Sequence, residues 1–126
     1  PLYEEAMNQA ASQRIPIFEA ERAMFQETHA AIGMWLAGKW RFPPNLVDVI
    51  QCHHRPGSAR NAPLETAIVH FSDILVRARG FGSAGDPLVP AVHPAAFELL
   101  ALTEADIREV LDKLEACRDE EGALTL

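Results

Sequence analysis

Three of the five histidines of this chain fall in one short stretch, residues 28–56, and they are the side chains best suited to chemistry. The stretch is typical of two helices separated by a Pro-Pro break. At about 100° of rotation per residue, His29 shares a stripe with apolar residues of the first helix. His53 and His54 end the apolar stripe of the second. We therefore expect three inward-facing imidazoles, and imidazole is a good ligand for divalent transition metals.

An aspartate is a candidate to complete such a metal site. Asp73 lies on a predicted fifth helix that is apolar on more than one face, which is typical of a central helix. Because Asp73 lies opposite the main apolar stripe, it reaches the histidines only if that helix is buried on both sides. His70 is one turn away and is an equally good partner for it. The alternative, for each histidine, is a core side chain bonded to a backbone carbonyl. His93, before Pro94, is expected at the surface.

The overall composition excludes several functional classes. The chain has 126 residues, 48% of them hydrophobic, which is enough for one globular domain. Its net charge is −7 and its basic residues are scattered, which argues against a nucleic-acid partner. No apolar run approaches the ~18 residues of a membrane span, and nothing resembles a signal peptide. Cys52 and Cys117 fit no disulfide or zinc spacing, so we expect reduced thiols in a cytoplasmic protein.

Helical periodicity runs through the sequence without strand-like alternation, so we predict a single all-α domain over residues 1–126. Prolines, an N-cap at Thr28 and a capping box from Thr103 to Asp106 delimit the elements. Because the chain begins at Pro1 without Met, we expect a partial domain. The predicted helices are Leu2–Arg14, Ile17–Gln26, Thr28 to Lys39 or Trp40, Pro44 to the stop at Arg55-Pro56, Pro63–Arg79 and Glu104–Arg118, with a short apolar turn predicted at Ala95–Leu100.

Two of these helices carry explicit packing predictions. In the third, Trp40 falls on the stripe of His29 and is predicted to be core, while Gly33 lets another helix approach closely. In the fifth, a face with Val69 and Val76 around Asp73 is predicted to stay open. The chain's other helices are predicted to cover its main face. That face consists of Leu64, Ala67, Ile68, Phe71, Leu75 and Ala78. The last helix is predicted to turn four residues inward: Ile107, Val110, Leu111 and Leu114.

Residues Gly80 to Gly85 spell G-x-G-x-x-G, the pattern of a dinucleotide-binding turn. That turn needs a strand before it and a helix after it, so that phosphates meet the helix N-terminus. Here a predicted helix precedes the glycines, and Asp86-Pro87 and Pro90 follow them. We therefore predict a flexible loop instead.

Four short patterns, taken in order, resemble the C-terminal half of HDOD domains, which are HD-related output domains of bacterial signalling proteins. They are His-x-x-Ile-Gly from His29, Trp-x-x-Pro from Trp40, Ile-x-x-His-His-x-Pro from Ile50 and Val-His-x-x-Asp-Ile-Leu from Val69. Glu21, eight residues before His29, also fits. The resemblance covers nearly the whole chain, roughly residues 1–114.

This resemblance implies an HD-like helical bundle of which the chain is the C-terminal half. The wider relatives are the HD phosphohydrolases and the HD-GYP cyclic-di-GMP phosphodiesterases. In them, positions matching His29, His53, His54 and Asp73 are metal ligands, so the resemblance places these four residues at one site. Those enzymes also need a His-Asp pair, and this sequence contains no such dipeptide. The loop after His54 also departs from their Asp-Gly-x-Gly-Tyr-Pro sequence.

Three functions follow as alternatives. HDOD proteins are considered non-enzymatic, so the first is a regulatory signalling module whose four candidate ligands are the vestige of a metal site, with at most a weakly held divalent metal as cofactor. Its expected partners are signalling proteins, an upstream domain of the same chain, or further copies of the chain in a homo-oligomer. The second is a metal-dependent phosphohydrolase whose remaining ligands lie in a missing N-terminal segment. The third is a helical interaction domain without a site.

Overall fold

Seven α-helices build the computed structural model, which describes the backbone of residues 2–124 and the side chains of residues 2–118. No strand occurs in residues 2–124, which confirms the all-α prediction. A short 3₁₀ turn, Pro56–Ser58, lies between the fourth and fifth helices. The helices are α1 Leu2–Gln13, α2 Ile17–Phe25, α3 His29–Lys39, α4 Pro44–Cys52, α5 Pro63–Ala78, α6 Pro94–Leu100 and α7 Glu104–Leu124.

The helix starts follow from local chemistry, as the sequence predicts. The Thr28 hydroxyl accepts a hydrogen bond from the backbone N–H of Ala31 at 3.2 Å, so Thr28 caps α3. Pro44 occupies the first turn of α4, where a missing N–H costs nothing. At α7 the capping box is formed: Thr103 N–H donates to the Asp106 carboxylate at 2.8 Å, and Asp106 N–H donates to the Thr103 hydroxyl at 3.2 Å.

Small residues allow two of the helix pairs to pack closely. Helices α1 and α2 meet through a cluster of fully buried residues: Ala6, Ala10, Ile17 and Ala20. Helices α3 and α4 meet at Gly33, where an added Cβ would lie only 2.8 Å from Cγ2 of Ile50. The predicted close approach at Gly33 is therefore confirmed. Glu21 and Phe18 of α2 contact His29 and His54, so α2 lies against the start of α3 and the segment after α4, where the candidate site is found.

Helix α5 is central, but its buried face differs from the predicted one. Leu64 and Ile68 are each 48% exposed, so the prediction that the chain's own helices cover them is wrong. The buried stripe is rotated toward His70 and Ile74 because α4 and α6 pack on that side. Its members are Thr66, Ala67, His70, Phe71, Ile74 and Leu75. Val69 is 41% exposed, which agrees with an open face.

Trp40 is 66% exposed, so its prediction as a core residue is wrong. The stripe argument applies only while the chain is helical, and α3 ends at Lys39. Trp40 is the C-cap, and Arg41 then adopts a left-handed conformation with φ of 58°. After this turn the Trp40 ring lies beside the ring of Phe42, with the two ring centres 6.0 Å apart. Val110 on α7 is 40% exposed, so its prediction as an inward residue is also wrong.

The Gly80–Gly85 segment is a loop, as predicted, because α5 precedes it and the next helix begins only at Pro94. Gly80, Gly82 and Gly85 all have positive φ, which favours glycine. The loop is anchored by Asp86, whose carboxylate accepts from the backbone N–H of Ile17 at 3.0 Å and pairs with Arg77 at 3.2 Å. Within residues 2–124, no helix is long and apolar enough to cross a membrane.

Candidate metal centre

The Nε2 atoms of His29, His53 and His54 converge on one point at the junction of α2, α3 and α4. Nε2 of His29 lies 2.9 Å from Nε2 of His54 and 3.3 Å from Nε2 of His53. The three rings are partly accessible, with His29 the most exposed of them. Among the described residues, these three form a group of candidate ligand atoms that all lie within 4.8 Å of one another.

His29 is held in place by a buried carboxylate. Its Nδ1 lies 2.7 Å from Glu21, whose side chain is 2% exposed, and its backbone N–H donates to the same carboxylate at 3.0 Å. Tyr3 donates its hydroxyl to Glu21 at 3.2 Å. An ionised carboxylate only accepts, so Nδ1 of His29 carries the proton. The Nε2 lone pair of His29 is therefore left for a ligand, as in carboxylate–histidine–metal arrangements.

The other two rings are also oriented by neighbours. Nδ1 of His53 donates to the backbone carbonyl of Ile50 at 2.8 Å, which leaves the Nε2 of His53 as an acceptor. His54 stacks on Phe18 of α2, with ring centres 4.7 Å apart and an angle of 25° between the planes. With the Nδ1 protons so assigned, Nε2 of His29 and Nε2 of His53 each carry a lone pair, and a cation between these two atoms would stabilise their 3.3 Å approach.

The nitrogen–nitrogen distances fit a metal ion. Histidine nitrogens bind zinc at about 2.0–2.1 Å. Two ligands at that distance are about 3.0 Å apart at an octahedral angle and about 3.4 Å apart at a tetrahedral one. The two separations that involve His29, 2.9 Å to His54 and 3.3 Å to His53, lie close to these values, and the three nitrogens all lie within 4.8 Å of one another. The residues present therefore fit a transition-metal ion, with His29, His53 and His54 as its ligands.

Burial favours the neutral form of His53 and His54, which is the form that metal ligation requires. Burial, followed by the neighbouring rings of His53 and His29, lowers the pKa of His54 to about 3. Burial also lowers the pKa of His53, and this outweighs the opposing effects of its bond to Ile50 and of the Asp73 charge.

The structure does not bring Asp73 into this group. Its carboxylate pairs with Nε of Arg77 at 2.9 Å, one turn along α5. Asp73 nevertheless lines the same cavity as His54 and His70, with a volume of about 300 Å³. Of the four predicted ligands, three thus converge, and the fourth lies at the wall of the adjoining cavity.

The remaining two histidines belong to a continuous network that the sequence alone did not reveal. His70 does not pair with Asp73: its Nδ1 donates to the backbone carbonyl of His53 at 2.8 Å, and its Nε2 accepts from the backbone N–H of His93 at 3.0 Å. His93 is half-buried and caps α6, since its Nδ1 accepts from Ala95 N–H at 3.2 Å. All five histidines therefore lie in one connected region.

A comparison with known families bears on these helices. Residues 1–56 match the HDOD domain family. The HDOD match spans α1 to α4 and includes Glu21 and all three converging histidines, and it ends before His70 and Asp73. No curated protein and no solved structure gives a significant match to the chain.

Sequence reasoning also missed Asp48, which is 7% exposed on α4. Its carboxylate accepts three backbone N–H bonds, from Arg60, Asn61 and Ala62, at 2.7 to 2.9 Å. These bonds fix the loop that follows the 3₁₀ turn and leads into α5. An aspartate among apolar residues of a predicted helix was the available indication, because a buried carboxylate needs donors.

Proposed function

We propose that this chain is a non-catalytic regulatory module of the HDOD type, which acts by binding. The observation that carries the proposal is the convergence of three histidine Nε2 atoms, two of them with their Nδ1 atoms held by Glu21 and by Ile50. The HDOD match over residues 1–56 supports it. We take the chain to be the C-terminal half of such a domain, working in the cytoplasm with signalling proteins or an upstream domain as partners.

The ligand set determines which ions the site favours. Three neutral imidazoles suit zinc, nickel, copper or iron, whereas magnesium and calcium prefer oxygen ligands. Among the described residues no carboxylate oxygen joins the three Nε2 atoms as a further candidate ligand, so we expect weak binding of a single ion. A bound ion would supply an open Lewis-acidic position. The chain's own residues orient the three nitrogens and shield one side with Phe18.

The cavity beside His54 is where we expect a ligand or a partner side chain to reach the site. It has a volume of about 300 Å³, and its wall combines apolar surface from Phe18 and Pro90 with polar groups of His70 and Asp73. A mostly apolar wall with a few placed polar groups is typical of a binding cavity. This arrangement supports recognition at the histidine cluster without requiring turnover.

A titration with Co²⁺, read by visible absorption, tests the proposal. We expect at most one ion per chain, with affinity reduced at least tenfold in His53→Ala and in His54→Ala. Gln51→Ala, an exposed change on the same helix, is the matched control and should bind like wild type. Absence of binding to the wild-type chain would overturn the metal site.

The alternative function, a metal-dependent phosphohydrolase, predicts different results. Elemental analysis would then find two tightly held metals per chain. Cyclic dinucleotides or simple phosphate esters would be turned over with added manganese, and turnover would be lost in His54→Ala and in Asp73→Ala. We expect neither tight binding of two metals nor turnover, since metal-assisted hydrolysis needs a complete ligand set around an open position.

A further inference from the structure

His70 on α5 bonds to backbone groups through both of its ring nitrogens. The ring is 7% exposed. Nδ1 donates to the carbonyl of His53, and Nε2 accepts from the N–H of His93. One nitrogen must therefore carry a proton and the other a lone pair, which fixes a neutral ring in a single tautomer.

The bond to His53 acts on two candidate metal ligands at once. His53 is the C-cap of α4, and its carbonyl lies beyond the last helical residue, Cys52, so it has no partner within the helix. That carbonyl belongs to the peptide group joining His53 to His54. By holding this peptide group, His70 fixes the backbone from which two of the three ligand side chains project.

The opposite side of the ring reaches a different part of the fold. His93 N–H donates to His70, while the His93 side chain caps α6 by accepting from Ala95 N–H. His93 also packs against the 3₁₀ turn, since a Cβ added to Gly57 would lie 3.1 Å from Cε1 of His93. The His70 ring is therefore hydrogen-bonded both to the start of α6 and to the backbone of the candidate metal ligands His53 and His54.

We infer that His70 is a positioning residue that couples metal binding at His29, His53 and His54 to the order of the α6 N-terminus. This inference rests on the metal site proposed above. Ligation of His53 and His54 restrains the peptide group between them, which strengthens the bond from His70 and in turn holds His93. Because coupling of this kind is reciprocal, a secured α6 start also favours the metal-bound state.

A pair of substitutions separates the two bonds. His70→Asn can keep a donor near the position of Nδ1 and loses the acceptor for His93, whereas His70→Gln can keep an acceptor near the position of Nε2 and loses the donor to His53. Ser72→Ala, an exposed change on the same helix, is the control. Zn²⁺ affinity is measured by competition with a chromophoric chelator, and amide hydrogen exchange of residues 93–97 is followed with and without Zn²⁺.

In wild type and in Ser72→Ala, we expect Zn²⁺ to slow exchange at residues 93–97. His70→Asn should retain affinity within about threefold and lose this slowing, and His70→Gln should lose affinity by about tenfold or more, the usual effect of removing an orienting partner. A role in folding stability alone would change both readouts together in both variants.

The outcomes distinguish this inference from the proposed function. A wild-type chain that binds no Zn²⁺ overturns both. A wild-type chain that binds Zn²⁺ without slowing exchange at residues 93–97 overturns the coupling and leaves the metal site standing. Equal effects of His70→Asn and His70→Gln on affinity and on exchange also overturn the coupling alone.

Discussion

The carboxylate of Glu21 lies 2.7 Å from Nδ1 of His29, although the two residues belong to different helices. Glu21 is 2% exposed and also accepts from the His29 backbone N–H and from the Tyr3 hydroxyl. One buried carboxylate thus joins α1, α2 and α3 and sets the tautomer of a candidate metal ligand. A buried charge is tolerated only when its acceptor positions are used.

Removal of the Glu21 carboxylate should lower the stability of the folded chain and should also change the pKa of Tyr3. We expect Glu21→Ala to lower the free energy of unfolding by about 2–4 kcal/mol, because three donors lose their acceptor. Glu19→Ala, an exposed change on the same helix, should stay within about 0.5 kcal/mol in the same denaturant titration.

The single tyrosine of the chain gives an independent readout of the same change. Burial, then the charge of Glu21 and the hydrogen bond to it, raises the pKa of Tyr3. The pKa of Tyr3 should therefore fall toward its ordinary value in Glu21→Ala, followed by ultraviolet absorption. An unchanged Tyr3 pKa would show that this contact does not persist in solution.

Asp48 should make stability depend on pH in the acid range. Burial alone would raise the pKa of Asp48, but the backbone N–H groups of Ala62, Asn61 and Arg60 together lower it below its ordinary 3.8. A carboxyl with a lowered folded-state pKa contributes stability above its unfolded pKa, and this contribution is lost as pH falls through the folded value. We expect Asp48→Asn to cost about 2–4 kcal/mol near neutral pH.

The difference between Asp48→Asn and wild type should therefore be constant above about pH 5 and should narrow as the pH falls below 3.8. Unfolding free energies at pH 7 and at the lowest pH where both variants fold provide the measurement. Asp112→Asn, an exposed change on α7, should show no such narrowing. If the difference in unfolding free energy between Asp48→Asn and wild type does not change with pH, the pKa of Asp48 is not lowered in the folded chain.

Two glycines of α3 offer a matched test of packing. A Cβ at Gly33 would lie 2.8 Å from Cγ2 of Ile50, whereas nothing lies within 4 Å of a Cβ at Gly38. We expect Gly33→Ala to destabilise the chain by about 1–3 kcal/mol through overpacking. Gly38→Ala should instead be neutral or stabilising by up to about 1 kcal/mol, because alanine favours the helix. Calorimetric melting of both variants decides this.

A double variant tests the cause assigned to Gly33. Removing the methyl that the new Cβ would meet, in Gly33→Ala with Ile50→Ala, should cost less than the sum of the two single changes. Strict additivity would mean that the close approach of α3 to α4 is not what restricts position 33.

The sequence predicts the helices of this chain well, because proline and capping positions act locally. Thr28, Pro44 and Thr103 each satisfy or remove backbone donors within one turn, so their effect does not depend on distant residues. The convergence of His29 with His53 and His54 was also predictable, since their positions on two adjacent helices limit where they point. Family resemblance added the expectation of a shared site.

What the sequence could not predict depends on contacts between distant segments. Whether Trp40 is core depends on where the chain turns after Lys39, and the left-handed Arg41 decides this. The spacing along α5 makes His70 a candidate partner for Asp73, one turn away. Its actual partners, the His53 carbonyl and the His93 N–H, lie 17 and 23 residues away. The spacing of residues within one helix cannot predict contacts with backbone groups in other segments of the chain.

The exposed apolar surface of α5 leads to the last prediction, which is self-association. Leu64 and Ile68, one turn apart, are each 48% exposed, and the neighbouring Val69 is 41% exposed. Apolar patches of this kind on soluble monomers are usually small, and larger ones mark sites of association. We therefore expect the chain to self-associate at tens of micromolar through this face, as measured by light scattering coupled to size exclusion.

A charge placed at the centre of this face should prevent the association. Ile68→Glu should elute as a monomer with unchanged helical content, because the side chain is already half in solvent. Val110→Glu introduces the same charge at a 40% exposed position on α7 and should associate like wild type. Loss of association in Val110→Glu but not in Ile68→Glu would move the interface to α7. A wild-type chain that is monomeric and binds no hydrophobic dye would show that the α5 face is too small to drive association, and the expectation of a homo-oligomer would then be wrong.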